Sequence, residues 1–462
     1  MTTTLTGDAL ATTRPEPFWL DSPDRPQPRP RLEGDVHCDL AVVGGGYCGL
    51  WTALRAKERH PERDVVLVEA DRIGGAASGR NGGFCEASLT HGEANGRARW
   101  PAEADRLEEL GLANLDEIEA TLRRYGIDCD FRRTGVLNVA TRPHEVDELR
   151  AGADGDRTVF LDSAAVRAEV ASPTYLAGLW SKDTCATVDP ARLAWGLAAA
   201  AERLGVRIVE GTSAERIRRS GGRIAVHTAH GTVHARQVAL GTNAYRPLLR
   251  RLRLATVPVY DYALMTEPLT DEQLASIGWT HRQGLADCGN QFHYYRLTAD
   301  NRILWGGYDA VYHYGRQVRA SYDQRQKTFD LLARQFLATF PQLAGIRFSH
   351  QWGGAIDTCT RFCAFFGTAY GGRVAYALGF TGLGVGATRF GADVMLDLLA
   401  GEDSERTRLA MVRQRPLPFP PEPVAWLGIQ LTRWSLARAN ARAGRRNPWL
   451  RLLDRLGLGF DS

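Results

Sequence analysis

Residues 38–70 read CDLAVVGGGYCGLWTALRAKERHPERDVVLVEA. Cys38 to Val43 is a short apolar run with β-branched residues, which predicts a buried strand. Gly44, Gly46 and Gly49 then fit G-x-G-x-x-G. Tyr47 to His60 carries helical periodicity through Leu50, Ala53 and Leu54, and Val65 to Val68 is a second buried strand that ends on Glu69. Each part has a physical role. Gly44 permits the tight turn, Gly46 lets the backbone approach a pyrophosphate, and Gly49 lets helix and strand pack closely. The helix N-terminus offers unpaired N–H groups and the positive end of a dipole. Glu69 stands 20 residues after Gly49, where a carboxylate accepts hydrogen bonds from ribose hydroxyls. A lone glycine motif is weak evidence, but here strand, helix and acid all sit where a dinucleotide needs them.

The next stretch, residues 70–92, is ADRIGGAASGRNGGFCEASLTHG. Its glycines give a backbone that a ligand can approach closely, and Ser78, Arg80 and Asn81 are polar groups held within it. The loop follows directly on the ribose-binding strand, where a bound dinucleotide continues toward its second half. A-A-S-G-R-N-G-G after such a unit resembles the D-amino-acid-oxidase-like flavoproteins, a group that includes glycine oxidase, monomeric sarcosine oxidase and γ-glutamylputrescine oxidoreductase. The resemblance covers roughly residues 36–400. It implies FAD, not NAD. By resemblance Gly44, Gly46, Tyr47, Cys48 and Gly49 hold the diphosphate, and Glu69 and Ala70 the adenosine ribose. Ser78, Gly79, Arg80, Asn81, Gly82 and Gly83 run beside the flavin.

Further motifs support this reading. Asp189 and Pro190 start a helix as N-cap and first helical residue, leading to strand Val206–Val209. By resemblance Val209 contacts adenine through its backbone, and Gly241 and Asn243 of QVALGTNAY return to the cofactor. VAYALGFTGLGVGATRF makes a second glycine turn with Gly379, Gly382 and Gly384 opening a helix at Val385; the resemblance sets Phe380 and Thr381 beside the ring and the helix N-terminus toward the flavin's pyrimidine oxygen. Two such turns far apart make a nicotinamide-only domain unfitting. The motif HQWGGAIDTCTRF carries Trp352, Ile356, Asp357 and Arg361 and looks most like γ-glutamylputrescine oxidoreductases, with Cys359 where that branch has Thr. Glycine oxidase places a carboxylate-binding arginine two residues after its W-x-G; here that residue is Ile356. Asp357 offers a negative charge suited to a cationic amine, or else orders its loop.

The expected fold is α/β: an FAD-binding Rossmann-like domain of glutathione-reductase type, interleaved with a substrate domain on a large, mostly antiparallel sheet. We assign residues 38–92, 188–245 and 346–401 to the first, and 93–187 and 246–345 to the second. The proline-rich residues 1–37 form a leader, disordered apart from an anchor at Phe18, Trp19 and Leu20. Strand alternation makes Tyr260, Tyr262, Tyr294, Arg296 and Trp305 candidates for the floor over the flavin. Trp305 aligns with the lysine that in oxidase relatives favours reaction with O2. His91 is a further candidate neighbour of the ring. Residues 402–462 form a basic amphipathic tail that docks on its own domain or lies on an anionic membrane.

Composition excludes several classes. A net charge of +4 over 462 residues does not point to nucleic acid. Eight cysteines in a chain this long make no disulfide scaffold, and Cys359 and Cys363 have no nearby His pair to suggest zinc or any other metal. Reduced thiols, no apolar run of transmembrane length and no signal-like N-terminus lead us to expect a cytoplasmic protein. The expected reaction is oxidation of the C–H beside an amine nitrogen, by hydride transfer to non-covalent FAD, with hydrolysis of the imine. The substrate is a small amine, polyamine- or amino-acid-derived, and the electron acceptor is O2 or another carrier. Trp352, Asp357, Tyr294, Arg296 and Trp305 are the candidate catalytic or pocket residues. Two alternatives stand beside this: a D-amino-acid dehydrogenase serving a membrane quinone, favoured by a carboxylate-binding Arg296, and a non-catalytic flavin-binding assembly protein.

Overall fold

The structure is a computed structural model that describes residues 8–458; the first seven residues of the leader and the last four of the tail lie outside it. The chain first forms β1 (Val36–Val43), α1 (Tyr47–Arg59) and β2 (Val65–Val68). Leu40, Ala41 and Val42 are fully buried, because a parallel strand covered on both faces cannot alternate with polar residues. Further on, β3 (Arg207–Val209) pairs with β2, and β4 (Gly231–Leu240) pairs with β1, both parallel. The long β5 (Thr256–Thr266), β6 (His293–Leu297) and β7 (Ile303–Gly307) join a second sheet already begun by Val136–Ala140, Thr158–Leu161 and Ala177–Ser181, and α2 (Gln326–Thr339) packs behind them. Strand β8 (Phe348–Cys359) runs antiparallel to β5. The chain then returns through β9 (Val374–Leu378), parallel to β4, into α3 (Gly384–Ala400).

Two sheets result. One has eight strands, with the order Phe365–Ala369, β9, β4, β1, β2, β3 and an antiparallel hairpin attached to β4. The other has nine strands and is mostly antiparallel. This is the mixed α/β architecture expected. Its boundaries differ from those read in the sequence. Residues 348–359 belong to the second sheet, since β8 pairs with β5 along nearly its whole length. Helix Ala104–Tyr125, assigned above to the substrate domain, sends Leu107, Leu115 and Ile118 into the apolar core that holds α1 and α3. Helical periodicity shows that a face is buried, not against which partner.

The leader is also different. From residue 8 it is an ordered strap. Trp19 and Leu20 are buried in the main core, and the Trp19 indole donates to Asn81 O at 3.0 Å. Arg14 N donates to Ser349 O (2.9 Å), and Gln351 N to Arg14 O (3.0 Å). Prolines bar a helix, but an extended backbone can still dock on an edge. At the other end, an extended segment leads to α4 (Val424–Asn440) and α5 (Pro448–Arg455). No helix among the described residues is long and apolar enough to cross a membrane.

Candidate active site

A connected cavity of about 2820 Å³ runs between the two sheets, several times the ~300–1,000 Å³ of a usual ligand pocket. One end lies over β1, α1 and β2. Gly44 has φ +109°, and a Cβ there would lie 2.5 Å from Gly241 O; one at Gly49 would lie 1.9 Å from Gly44 O. Gly49 is therefore a packing residue and stays out of the cavity lining, whereas Gly44, Gly46, Tyr47 and Cys48 line it. Ser78 Oγ accepts from Tyr47 N at 2.9 Å, which ties the second loop to the start of α1. Glu69 lines the cavity beside Ala70. Its carboxylate accepts from Gly45 N (2.6 Å) and Asp71 N (2.9 Å). Burial raises its pKa against those bonds.

The S-G-R-N-G-G loop is held from three sides. The Arg80 guanidinium reaches Asp323 (2.6 Å), Gly353 O (3.2 Å) and Gly75 O (2.8 Å). The Trp352 indole donates to Arg80 O at 2.8 Å. Asn81 Nδ2 donates to Ala77 O and Ser78 O, while its Oδ1 accepts from Gly83 N at 2.8 Å. Ser78, Arg80, Asn81, Gly82 and Trp352 face the cavity. Gly79 and Gly83 do not; a Cβ on either would strike a backbone oxygen at 2.2 Å. Gly241 and Asn243 line the wall, Asn243 at φ +51°. Val209 does not line it: its carbonyl accepts from Glu69 N at 2.9 Å, so its contribution is to position Glu69.

The far end is closed by the second glycine turn. Phe380, Thr381, Gly382, Gly384 and Val385 line the cavity. Gly379, at φ +75°, lies behind them. The Asp357 carboxylate accepts from Gly379 N at 2.5 Å, and the N–H groups of Phe380, Thr381 and its own residue also point at it. Burial still pushes its pKa up to about 7. One of its oxygens is thus bonded to the Gly379 turn, and the other N–H groups nearby favour its charged form. Of the two roles read for Asp357, this geometry favours ordering the loop. His91 lines the cavity at φ +63°, with its imidazole bonded to the Thr381 backbone and held below its usual pKa by burial.

The floor of the cavity is the second sheet, and alternation decides which side chains reach it. The register pairs Ala263 with Trp352, Asp261 with Gly354, and Val259 with Ile356. These six residues share the cavity face. On β6 and β7, Tyr294 opposite Gly306 shares it too. The opposite face takes Tyr260, Tyr262 and Trp305, which pack into the core beside α2; Tyr260 and Tyr262 still border the cavity, and Trp305 does not. Trp305 is 1% exposed and lies against His293, Tyr295 and Phe336. Placing it over the flavin was wrong by one residue, the error that flips a side chain across a sheet. Arg296 is on the correct face, but its guanidinium is buried behind the loop. It donates to Val188 O at 2.5 Å and Gly83 O at 3.5 Å, and lies 5.6 Å over the Trp19 ring. Burial brings its pKa down to about 10. It lines no part of the cavity and cannot clamp a substrate carboxylate there.

Sequence reasoning missed Asp261. Its Oδ2 accepts from the Tyr294 hydroxyl at 2.6 Å and its Oδ1 from Tyr262 N at 2.8 Å. Burial raises its pKa to about 6, against the opposing pull of the Tyr294 bond. Of about four lone-pair positions, these bonds use two, and Asp261 lines the cavity. The signal was present: an acid between two tyrosines of a strand must face opposite to them.

Residues 39–398 match the family model described as FAD dependent oxidoreductase. The chain belongs to this family. It is 31% identical over 415 residues to γ-glutamylputrescine oxidoreductase of Escherichia coli K12, covering 87% of this chain and 92% of that one. It is 26% identical over 401 residues to a probable oxidoreductase of Haemophilus influenzae, covering 84% and 88%. Glycine oxidase from Geobacillus kaustophilus superposes with a TM-score of 0.63 at 20% identity, covering 80% of this chain and 96% of that one. The chain is thus an FAD-dependent oxidoreductase. Its residues fit that cofactor: the bare Gly44–Gly46 turn opens on α1 for a diphosphate, and Glu69 stands where a ribose is held.

Proposed function

We propose that this FAD-dependent oxidoreductase oxidises the C–H beside the nitrogen of a cationic amine that carries no carboxylate on the reacting carbon. One observation carries the reading. The floor strands β5–β8 contribute no Lys or Arg to the cavity lining, and their charged group with open acceptor positions is Asp261. Ile356 stands where a carboxylate-binding arginine is found in glycine oxidase, and Arg296, the other candidate clamp, is spent on Val188 and Gly83 carbonyls. The likeness to an enzyme named for γ-glutamylputrescine supports the class, since that compound bears an ammonium remote from its carboxylate.

The residues act in a definite order. The Asp261 carboxylate pairs with the substrate ammonium, and the Tyr294 hydroxyl fixes its Oδ2. With its pKa near 6, Asp261 accepts the N–H proton that must leave before the nitrogen lone pair can assist C–H cleavage. Ala263, Ile356 and the Trp352 ring form an apolar wall that positions the carbon and limits water. Bound FAD supplies the acceptor for the two electrons of that bond, and the resulting imine hydrolyses to a carbonyl compound and an amine. The test is an anaerobic mixing experiment that follows flavin bleaching. A polyamine derivative should reduce the flavin faster than D-alanine or glycine. Clearly faster reduction by the amino acids would sink the proposal.

A further inference from the structure

Nine large apolar side chains stand exposed among the described residues, and seven of them fall between Leu417 and Leu456. Leu427, Leu431 and Trp434 of α4 are 41 to 57% exposed and stand outside the cavity lining. Their spacing of four and three residues puts them on one stripe of the helix. On α5, Leu452 is likewise exposed, and Leu456, just past its end, is exposed at the cavity rim. This is not a helix awaiting its place on the body. The inner side of the hairpin is already fixed: Arg433 pairs with Asp309, Gln430 donates to Tyr312 O at 3.2 Å, and Asn440 Oδ1 accepts from Asn290 N and Nδ2 at 3.0 and 2.7 Å. The outer stripe is what the docked hairpin leaves over.

We propose that this outer face of α4 and α5 is a docking surface for an anionic lipid bilayer. Residues 424–458 hold seven arginines against Asp454 alone, a net +6. Arg438, Arg442, Arg445, Arg451 and Arg455 are exposed, and Arg438 lies 5.2 Å over the Trp434 ring. Apolar side chains rimmed by arginine, with a Trp at the edge, match the lipid–water boundary and its anionic headgroups. The same charge argues against a second copy of this chain, because a twofold contact would set each basic rim against its own image. The inner side of the hairpin, through Ile429, Leu436 and Leu453, walls the cavity. Docking therefore sets the cavity beside the bilayer.

The test uses the full-length FAD-loaded protein and sedimentation with vesicles. Binding is expected to phosphatidylcholine–phosphatidylglycerol vesicles, weakly or not at all to phosphatidylcholine alone, and to be released by high salt. The triple change Leu427→Ser, Leu431→Ser and Trp434→Ser alters only exposed positions. It should lower the bound fraction by about tenfold or more, with flavin content and turnover of a soluble amine unchanged. Wild-type protein that stays in the supernatant with anionic vesicles at low salt would overturn the proposal. So would binding that the triple variant retains, or a stable dimer that the variant dissociates.

Discussion

Replacing Asp261 by Asn removes one negative charge and leaves the local hydrogen bonds satisfiable. The new amide oxygen can accept from Tyr262 N, and its NH2 can donate to the Tyr294 oxygen, whose hydroxyl turns from donor to acceptor. The loss to be measured is therefore that of the substrate's ion pair. At 4 Å and an effective dielectric of 20 the Coulomb gain is about 4 kcal/mol. Desolvation offsets part of it, and hydrogen bonds to charged groups are worth ~1.5–3 kcal/mol net. At 1.4 kcal/mol per decade this corresponds to about 10- to 150-fold weaker amine binding. Kd from anaerobic flavin spectra, measured across pH, checks it. Only ionised Asp261 attracts an ammonium, so wild-type affinity should rise with pH through about 6, and Asp261→Asn should lack that limb. Stability gives a second readout. A carboxylate raised above its unfolded value holds its proton longer in the folded state. Its contribution is full below the unfolded pKa of about 3.9 and is lost as pH rises through the folded value. The Asn variant should flatten that slope between about pH 4 and 6. An unchanged Kd and pH profile in Asp261→Asn would refute the assignment.

The purified protein should be yellow and release FAD on acid precipitation, because Cys359 Sγ donates to Cys363 O at 3.1 Å within the core and does not line the cavity. Glu69→Ala should weaken FAD binding by about 1–3 kcal/mol, the cost of leaving buried donors unmatched; titration of apoprotein with FAD measures it. Arg296→Met should lower Tm by stranding the Val188 and Gly83 carbonyls, at ~1–3 kcal/mol, while leaving the KM for amines unchanged; a raised KM with normal Tm would return Arg296 to the substrate site. The reduced enzyme should react slowly with O2, since no fixed cation from the floor strands stabilises superoxide; stopped-flow mixing with aerated buffer measures this, and rapid reoxidation would show that charge is supplied from elsewhere.

The dinucleotide half was legible because its chemistry is local. Strand, turn, helix and acid lie within residues 38–70, and each is specified by neighbours a few residues away. Gly44 and Gly49 are glycines because the backbone of Gly241 and Gly44 lies against them, and such contacts recur wherever this unit forms. The substrate floor was less legible because it is set by pairing across long separations. Ala263 meets Trp352, and Tyr294 meets Gly306. Alternation within each strand was readable, but which face meets the ligand depends on where α2 packs. Tyr260 and Tyr262 go to the α2 side, with the Tyr262 hydroxyl donating to Tyr322 O at 2.9 Å. The leader was misread for a related reason: prolines report backbone shape, while the docking of Trp19 depends on Asn81 sixty-two residues away.

Asp261 and Asp357 show why a residue type in a motif does not settle a role. Both are strand acids beside the cavity, and burial raises both. They differ in what their oxygens already hold. Asp357 faces the backbone N–H groups of the Gly379 turn, so it fixes the loop that closes the far end of the cavity. An ammonium would have to compete with those groups, and with the Gly379 N–H bond at 2.5 Å in a buried site. Among the described residues, Asp261 accepts from Tyr262 N and the Tyr294 hydroxyl. Across the sheet it is paired with Gly354, whose bare face is covered by the Arg80 side chain. A Cβ at Gly306 would itself meet the Tyr294 ring at 2.6 Å, so the bare glycine is what lets Tyr294 reach Asp261. The pairing of a small residue on β7 with a tyrosine on β6 thus creates the charge-binding spot, and no motif within either strand announces it.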